Sequence, residues 1–362
     1  MTITETQSLT TKKKARDSNI ELFRIFLMLM IIAHHYVVNS GITKFYDFDN
    51  ISDNQLFLEL WGWGGKVGIN CFLLITGYFM CKQKFTWKKF FKLYFEVKFY
   101  AIVIFAIFVI SSYQALTAFS LYQTIFNVAM GVGHGFTASF IFLYLLIPFI
   151  NKLINSLDKH EHGILVLILL VAFSVFGTFF LNPFFEYLGW YITVYIIGAY
   201  IRLYPYRLLS CFRITASFAI IALVLSWASI LMITYLKELQ QFNIGIYYFV
   251  NDSNRILSII SAIAFFCFFK SINLGQSRVI NTIASCTFGV LLIHAHSDTM
   301  RQWLWGDMLH VSDYFSYPHL WLHAIGSLFI VYTICIILDL MRQRFLERPF
   351  FDWLTKRFPC IQ

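Results

Sequence analysis

At 362 residues, with 59% hydrophobic and only 13% charged side chains, the chain carries too little charge to cover the surface of a soluble protein, where about 25% is usual. Its net charge of +9 sits in short basic runs between apolar segments, the pattern of membrane-protein loops, so nucleic acid is not an expected partner. The seven cysteines lie mostly in or beside apolar stretches and form no CxxC pair, so they read as small hydrophobes within helices.

Lys12, Lys13, Lys14 and Arg16 precede the first apolar segment, which has no small-residue cleavage site. It is therefore expected to remain as a membrane helix instead of being removed as a signal peptide. A helix crosses the bilayer with roughly 20 apolar residues, and lipid requires each backbone group to find its partner within the segment. On that criterion, spans are expected near residues 20–40, 62–81, 96–113, 135–151, 163–181, 187–204, 213–236, 255–271, 280–297 and 319–340. The fold class that follows is an all-α integral membrane protein, a single bundle of about ten transmembrane helices. A polar tail over 1–18 and a basic tail over 342–362 flank a membrane domain over 19–341.

Lys and Arg collect on alternate connections. One side holds Lys82, Lys84, Lys88, Lys89 and Lys92, then Lys152 and Lys159, Arg207, Arg278, and Arg342, Arg344, Arg348, Lys356 and Arg357; the other holds little beyond Lys44, Lys237 and Arg301. The positive-inside rule puts the first set, and both termini, in the cytoplasm.

The first helix carries the most informative pattern. In "NIELFRIFLMLMIIAHHY" (residues 19–36), Arg24 and His35 are eleven residues apart. At about 100° per residue they share one helical stripe and lie roughly 16 Å apart along the axis. Glu21 is within ion-pair reach of Arg24, and His34 points about 100° away from His35. Ionisable groups inside a membrane are functional by default. The stripe suits a long ligand with an anionic head at Arg24 and a reactive end at His35. Acetyl-CoA has that form: its phosphates seek Arg and Lys, and a neutral histidine can take the proton of an attacking hydroxyl.

The Asn-Ile-Glu-Leu start, the Arg-x10-His spacing and the double histidine resemble the acyltransferase-3 family of membrane O-acyltransferases, in its exopolysaccharide branch. Further segments carry the likeness along most of the chain: "GINCFLLITGYFM" (68–80), "FLYLLIPFIN" (142–151), "WYITVYIIGAYIRLYP" (190–205), "INTIASCTFGVLLIHAHSD" (280–298) and "RQWLW" (301–305). The resemblance implies that Arg24 and His35 serve acyl-CoA use and catalysis. It puts Lys89 and Lys92, in "KKFFK", where many members have Arg-x-x-Arg; lysine offers a point charge without the bidentate fork. Many members carry glutamates just before the "FYLL-P" stretch, whereas "SFIFLYLLIP" has none; Glu21 is the nearest carboxylate in character.

Other candidates are weaker. His294, His296 and Arg301 are expected to wall an acceptor pocket, with Asn70 lining the passage or bonding neighbouring helices and Arg202 adding to the CoA phosphate site. His294 and His296 are about 200° apart on a helix and share a face only if it breaks there. His319 and His323 have zinc-like spacing, but they open an apolar span and no metal is expected. His160 and His162 are read as solvated loop residues.

The function expected is O-acyl transfer, most simply of acetyl, from cytoplasmic acyl-CoA to a hydroxyl of a bacterial surface glycan, free or lipid-linked, in the plasma membrane. His35 is the expected catalytic base, with Glu21 and His34 beside it. The competing reading is a transporter or flippase for a lipid-linked sugar, against which no inverted repeat or pair of Gly/Pro-interrupted helices shows.

Overall fold

Because lipid offers no partner for a backbone amide, the apolar segments fold as helices; among the described residues there is no strand. The computed structural model describes residues 17–129, 136–180, 186–239 and 244–358. Most of the tail expected over 1–18 therefore lies outside the described residues, as do residues 359–362.

The helices are α1 (Ser18–Val38), α2 (Asp53–Trp61), α3 (Gly65–Met80), α4 (Trp87–Ile110), α5 (Ala118–Ala129), α6 (Phe136–Ser156), α7 (Lys159–Phe179), α8 (Tyr187–Leu203), α9 (Phe212–Glu238), α10 (Ile256–Ser271), α11 (Arg278–Ala284), α12 (Thr287–His294), α13 (Asp298–Met308) and α14 (Leu320–Arg357). Six of them, α1, α4, α6, α7, α9 and α14, are long and apolar enough to cross a membrane. A seventh arises if α11–α12 and α13, which meet at a bend of 97°, count as one span. The other three expected spans are α3, α8 and α10, of 16, 17 and 16 residues. At about 1.5 Å per residue they are shorter than the roughly 30 Å hydrocarbon core.

These short helices form the packed centre. Gly77 of α3 and Gly198 of α8 let two backbones touch: a Cβ at Gly77 would stand 2.2 Å from the Tyr195 carbonyl oxygen, and one at Gly198 2.5 Å from that of Leu74. Small residues at such crossings substitute for the hydrophobic drive that lipid removes. Asn70 locks the same contact, donating to the Ser253 carbonyl at 2.6 Å and accepting from the Trp190 indole at 2.9 Å.

α1 runs through the middle of the bundle, packed on α3, α10, α11, α12 and α14, with Phe23, Leu27, Ile32, Tyr36 and Val37 fully buried. Its first turn is pinned. Asn19 donates to the carbonyls of Phe269, Lys270 and Ile272 at the end of α10, where the last carbonyls of a helix lack partners. Ser18 donates to Asn281 of α11 at 3.0 Å.

Two sequence expectations change. The segment expected as a tail from residue 342 is largely a continuation of α14, and Arg342 is buried against Asp339 (2.8 Å), Glu347 (2.6 Å) and Glu96 of α4 (3.0 Å). Three carboxylates around one guanidinium tie α14 to α4, where the sequence alone shows only a basic run. His162, expected in solvent, is fully buried. Asp158 and Glu161 form a capping box that starts α7 at Lys159, and the ring that follows turns inward to donate from Nε2 to the Ile196 carbonyl at 3.2 Å.

The short helix α2 is held by a buried acid. Glu59 accepts from Thr234 of α9 at 2.6 Å and from Gln55 at 3.0 Å, and burial pushes its carboxyl up from the usual carboxylate range. Gln keeps the shape and an acceptor oxygen, so Glu59→Gln is expected to lower the unfolding midpoint in detergent less than Glu59→Ala, which orphans two donors and costs about 1–3 kcal/mol. Thermal unfolding of the two variants checks this.

Candidate active site

Two histidines 259 residues apart meet at the C-terminal end of α1: His35 Nδ1 lies 3.0 Å from His294 Nε2. The other nitrogen of His294, Nδ1, is 2.6 Å from the Val290 carbonyl oxygen one turn back in α12. A carbonyl only accepts, so Nδ1 of His294 carries the proton and Nε2 of the neutral ring accepts. His35 must then donate through Nδ1–H, which leaves its Nε2 with the free lone pair. The backbone of α12 thus sets the tautomer of His294, and His294 sets that of His35.

His34 is held differently. Its Nδ1 donates to the Gly62 carbonyl at 2.5 Å, in the turn Gly62–Gly64 that joins α2 to α3. Gly65 makes room for the ring: a Cβ there would stand 2.3 Å from His34 Cγ and Cδ2.

His34 and His35 line a cavity of about 770 Å³, within the range usual for small-molecule sites; His294 stands behind His35, outside the lining. Lys66, Lys98, His296, Asp298 and Arg301 share its wall with apolar side chains of α4, among them Ile104, Phe105 and Phe108. Arg301 meets Asp298 at 2.7 Å and Lys66 meets Asp252 at 3.6 Å. Lys98 is 8% exposed, with its ammonium 5.4 Å from the Tyr94 ring centroid. The chain breaks at Ala295, after α12. The break lets His294 reach His35 while His296, two residues on, lines the cavity.

α1 is unbroken, so Arg24, Met28, Ile31 and His35 do share one stripe. Ile31 and His35 line the cavity; Arg24 is half-buried nearer the start of the helix, beside buried Glu21. The other expected residues are dispersed. Lys89 donates to Gln83 at 2.9 Å and Lys92 pairs with Glu347 at 2.6 Å. Arg202 donates to the Tyr78 hydroxyl at 2.8 Å, in a different cavity from His35. Asn70 has both polar atoms engaged in the α3–α8 contact and does not line the histidine cavity. His323 bonds Tyr36 at 2.9 Å and stacks on Tyr314, joining α1 to α14.

Sequence reasoning did not find the His35–His294 pair, since no local spacing links residues in α1 and α12. Nor did it single out Lys98. A lysine within the apolar run of α4 is the signal that was available.

Residues 17–340 match the family model described as an acyltransferase domain. The chain belongs to the acyltransferase-3 family. No curated protein and no solved structure matches it. With its apolar helices, it is a multi-pass membrane acyltransferase. In this acyltransferase Gly65→Ala is expected to push the His34 ring off the Gly62 carbonyl, with an overpacking cost of about 1–3 kcal/mol. A lowered unfolding midpoint and reduced transfer, measured together, are the expected result.

Proposed function

We propose that this acyltransferase moves an acyl group, most simply acetyl, from cytoplasmic acyl-CoA to a hydroxyl of a bacterial surface glycan or its precursor, free or lipid-linked. The observation that carries this reading is the chain from the Val290 carbonyl through His294 to His35, in the wall of a cavity large enough for a sugar. It provides a base whose reactive nitrogen is fixed before any substrate arrives. In the reading, Nε2 of His35 takes the proton of the acceptor hydroxyl as its oxygen attacks the thioester carbonyl. The tetrahedral intermediate then loses the thiolate, which leaves with the proton from His35. Imidazolium formed on His35 still donates from Nδ1 to His294, so the charge is shared at the moment it develops. Lys98, buried in the same wall, supplies positive charge for the oxyanion.

The basic asymmetry of the connections supports a plasma-membrane topology with both termini in the cytoplasm. α3, α8 and α10 then serve as short crossings that complete a bundle of about ten. Arg24, near the start of α1, lies on the donor side of His35, and His296 and Arg301 lie on the acceptor side.

The test uses purified acyltransferase with acetyl-CoA and glycan fractions, measuring free CoA. His35→Ala is expected to lower transfer by about 10²–10⁴-fold, the usual share of a general base. His294→Ala should fall between that and wild type, and His34→Ala should be milder than His35→Ala. Wild-type CoA release by folded His35→Ala would overturn the assignment. A protein that moves lipid-linked sugar without releasing CoA would be a flippase instead.

A further inference from the structure

A second cavity, of about 410 Å³, lies at the opposite end of the bundle from the histidines, where α3, α8 and α10 end. Lys82, Arg202 and Lys270 line it, together with Tyr78 and the hydroxyl residues Ser210 and Ser271. Among the described residues no carboxylate lines it, and none of the three cations is in an ion pair with one. This sets it apart from the histidine cavity and from the Arg342 cluster, where carboxylates accompany the cations. Three like charges around one small cavity repel each other, and that repulsion is relieved when an anion enters.

The cavity is also built. Arg202 is fixed twice by Tyr78: one guanidinium nitrogen donates to the hydroxyl at 2.8 Å, and the guanidinium carbon is 4.7 Å from the ring centroid. The backbone at Lys270 is held by Asn19 of α1, and the Ser271 hydroxyl is 2.8 Å from that of Thr215. A pre-oriented guanidinium flanked by two ammonium groups matches the oxygens of a phosphate or diphosphate.

We infer that Lys82, Arg202 and Lys270 form the seat of a phosphate-bearing ligand. Resting on the proposed acyl-CoA reading, that ligand is the diphosphate of the donor nucleotide. The donor's head then binds where α3, α8 and α10 end and not on Lys89 and Lys92, whose ammonium groups are engaged by Gln83 and Glu347. The same chemistry is offered by the headgroup of an anionic lipid, and the test separates the two.

The full chain, in nanodiscs of zwitterionic lipid, is titrated with CoA and with inorganic pyrophosphate. Losing charged hydrogen bonds is expected to weaken both ligands about tenfold or more in the Lys82→Gln/Lys270→Gln double variant. Arg202→Lys should also weaken both, through loss of the fork, while Lys89→Gln changes neither by more than about twofold. Unchanged unfolding midpoints confirm that the variants are folded. The double variant leaves the Arg202 and Tyr78 side chains unchanged and remains informative if Arg202→Lys does not fold. Wild-type affinity for both ligands in the double variant overturns the site. A wild type that binds neither ligand, but is stabilised by phosphatidylglycerol in a manner lost in the double variant, overturns the nucleotide assignment in favour of a lipid headgroup. No acyl transfer is read, so a failed transfer mechanism and a failed phosphate seat give different results.

Discussion

The hydrogen bond between His35 and His294 joins the helix through the centre of the bundle to the helix that ends at a 97° bend. A buried imidazole in a membrane protein is costly unless its polar atoms are satisfied, and here each ring helps satisfy the other. The Val290 carbonyl begins the chain, because its lone pairs force a proton onto Nδ1 of His294. Everything that places the two rings serves that contact: the pinned first turn of α1, the packing of α1 against α12, and the chain break after His294. The helix break often seen at membrane functional sites, tolerated only where the freed backbone faces protein or a cavity, here falls beside the cavity wall.

Charge is distributed by the same economy. Several cations are accompanied by carboxylates: Arg342 by Asp339, Glu347 and Glu96, Arg301 by Asp298, and Lys66 by Asp252. Lys82, Arg202 and Lys270 differ: among the described residues they surround a cavity with no acid in its lining, at the opposite end of α1 from the histidines. The two ends of one helix thus present different chemistry, a coupled pair of imidazoles at one and a cluster of cations at the other. That polarity suits a ligand whose anionic head and reactive group are far apart.

Much of this was legible in the sequence, and the parts that were not share a cause. Hydropathy located the six helices long and apolar enough to cross a membrane, because the bilayer imposes length and composition on each segment separately. The 3.6-residue period placed Arg24 and His35 on one stripe, because both belong to one unbroken helix. The helix break that His294 and His296 would need to act together was foreseeable as a condition, and it is there. The partner of His35 was not legible, because a contact between α1 and α12 is decided by packing. For the same reason the sequence left open whether Asn70 lines a passage or bonds neighbouring helices; it is the tie between Trp190 and Ser253. Arg342 read as part of a basic tail when it is the buried centre of a charge cluster, and Lys92, which the resemblance aligns with an Arg of Arg-x-x-Arg, has Glu347 as a partner that the sequence did not show. Charge in a sequence has a position along the chain, and its neutralising partners appear only in three dimensions.

The tautomers of the two imidazoles are the most direct measure of the coupling on which the site depends. Nitrogen NMR of ¹⁵N-histidine-labelled protein, with His35 and His294 assigned by single substitution, reports which ring nitrogen carries the proton. The expected result is a proton on Nδ1 and a bare Nε2 in both rings, with the His35 Nδ1 signal changing when His294 is replaced. A proton on Nε2 of His35, or a His35 spectrum indifferent to loss of His294, would contradict the arrangement.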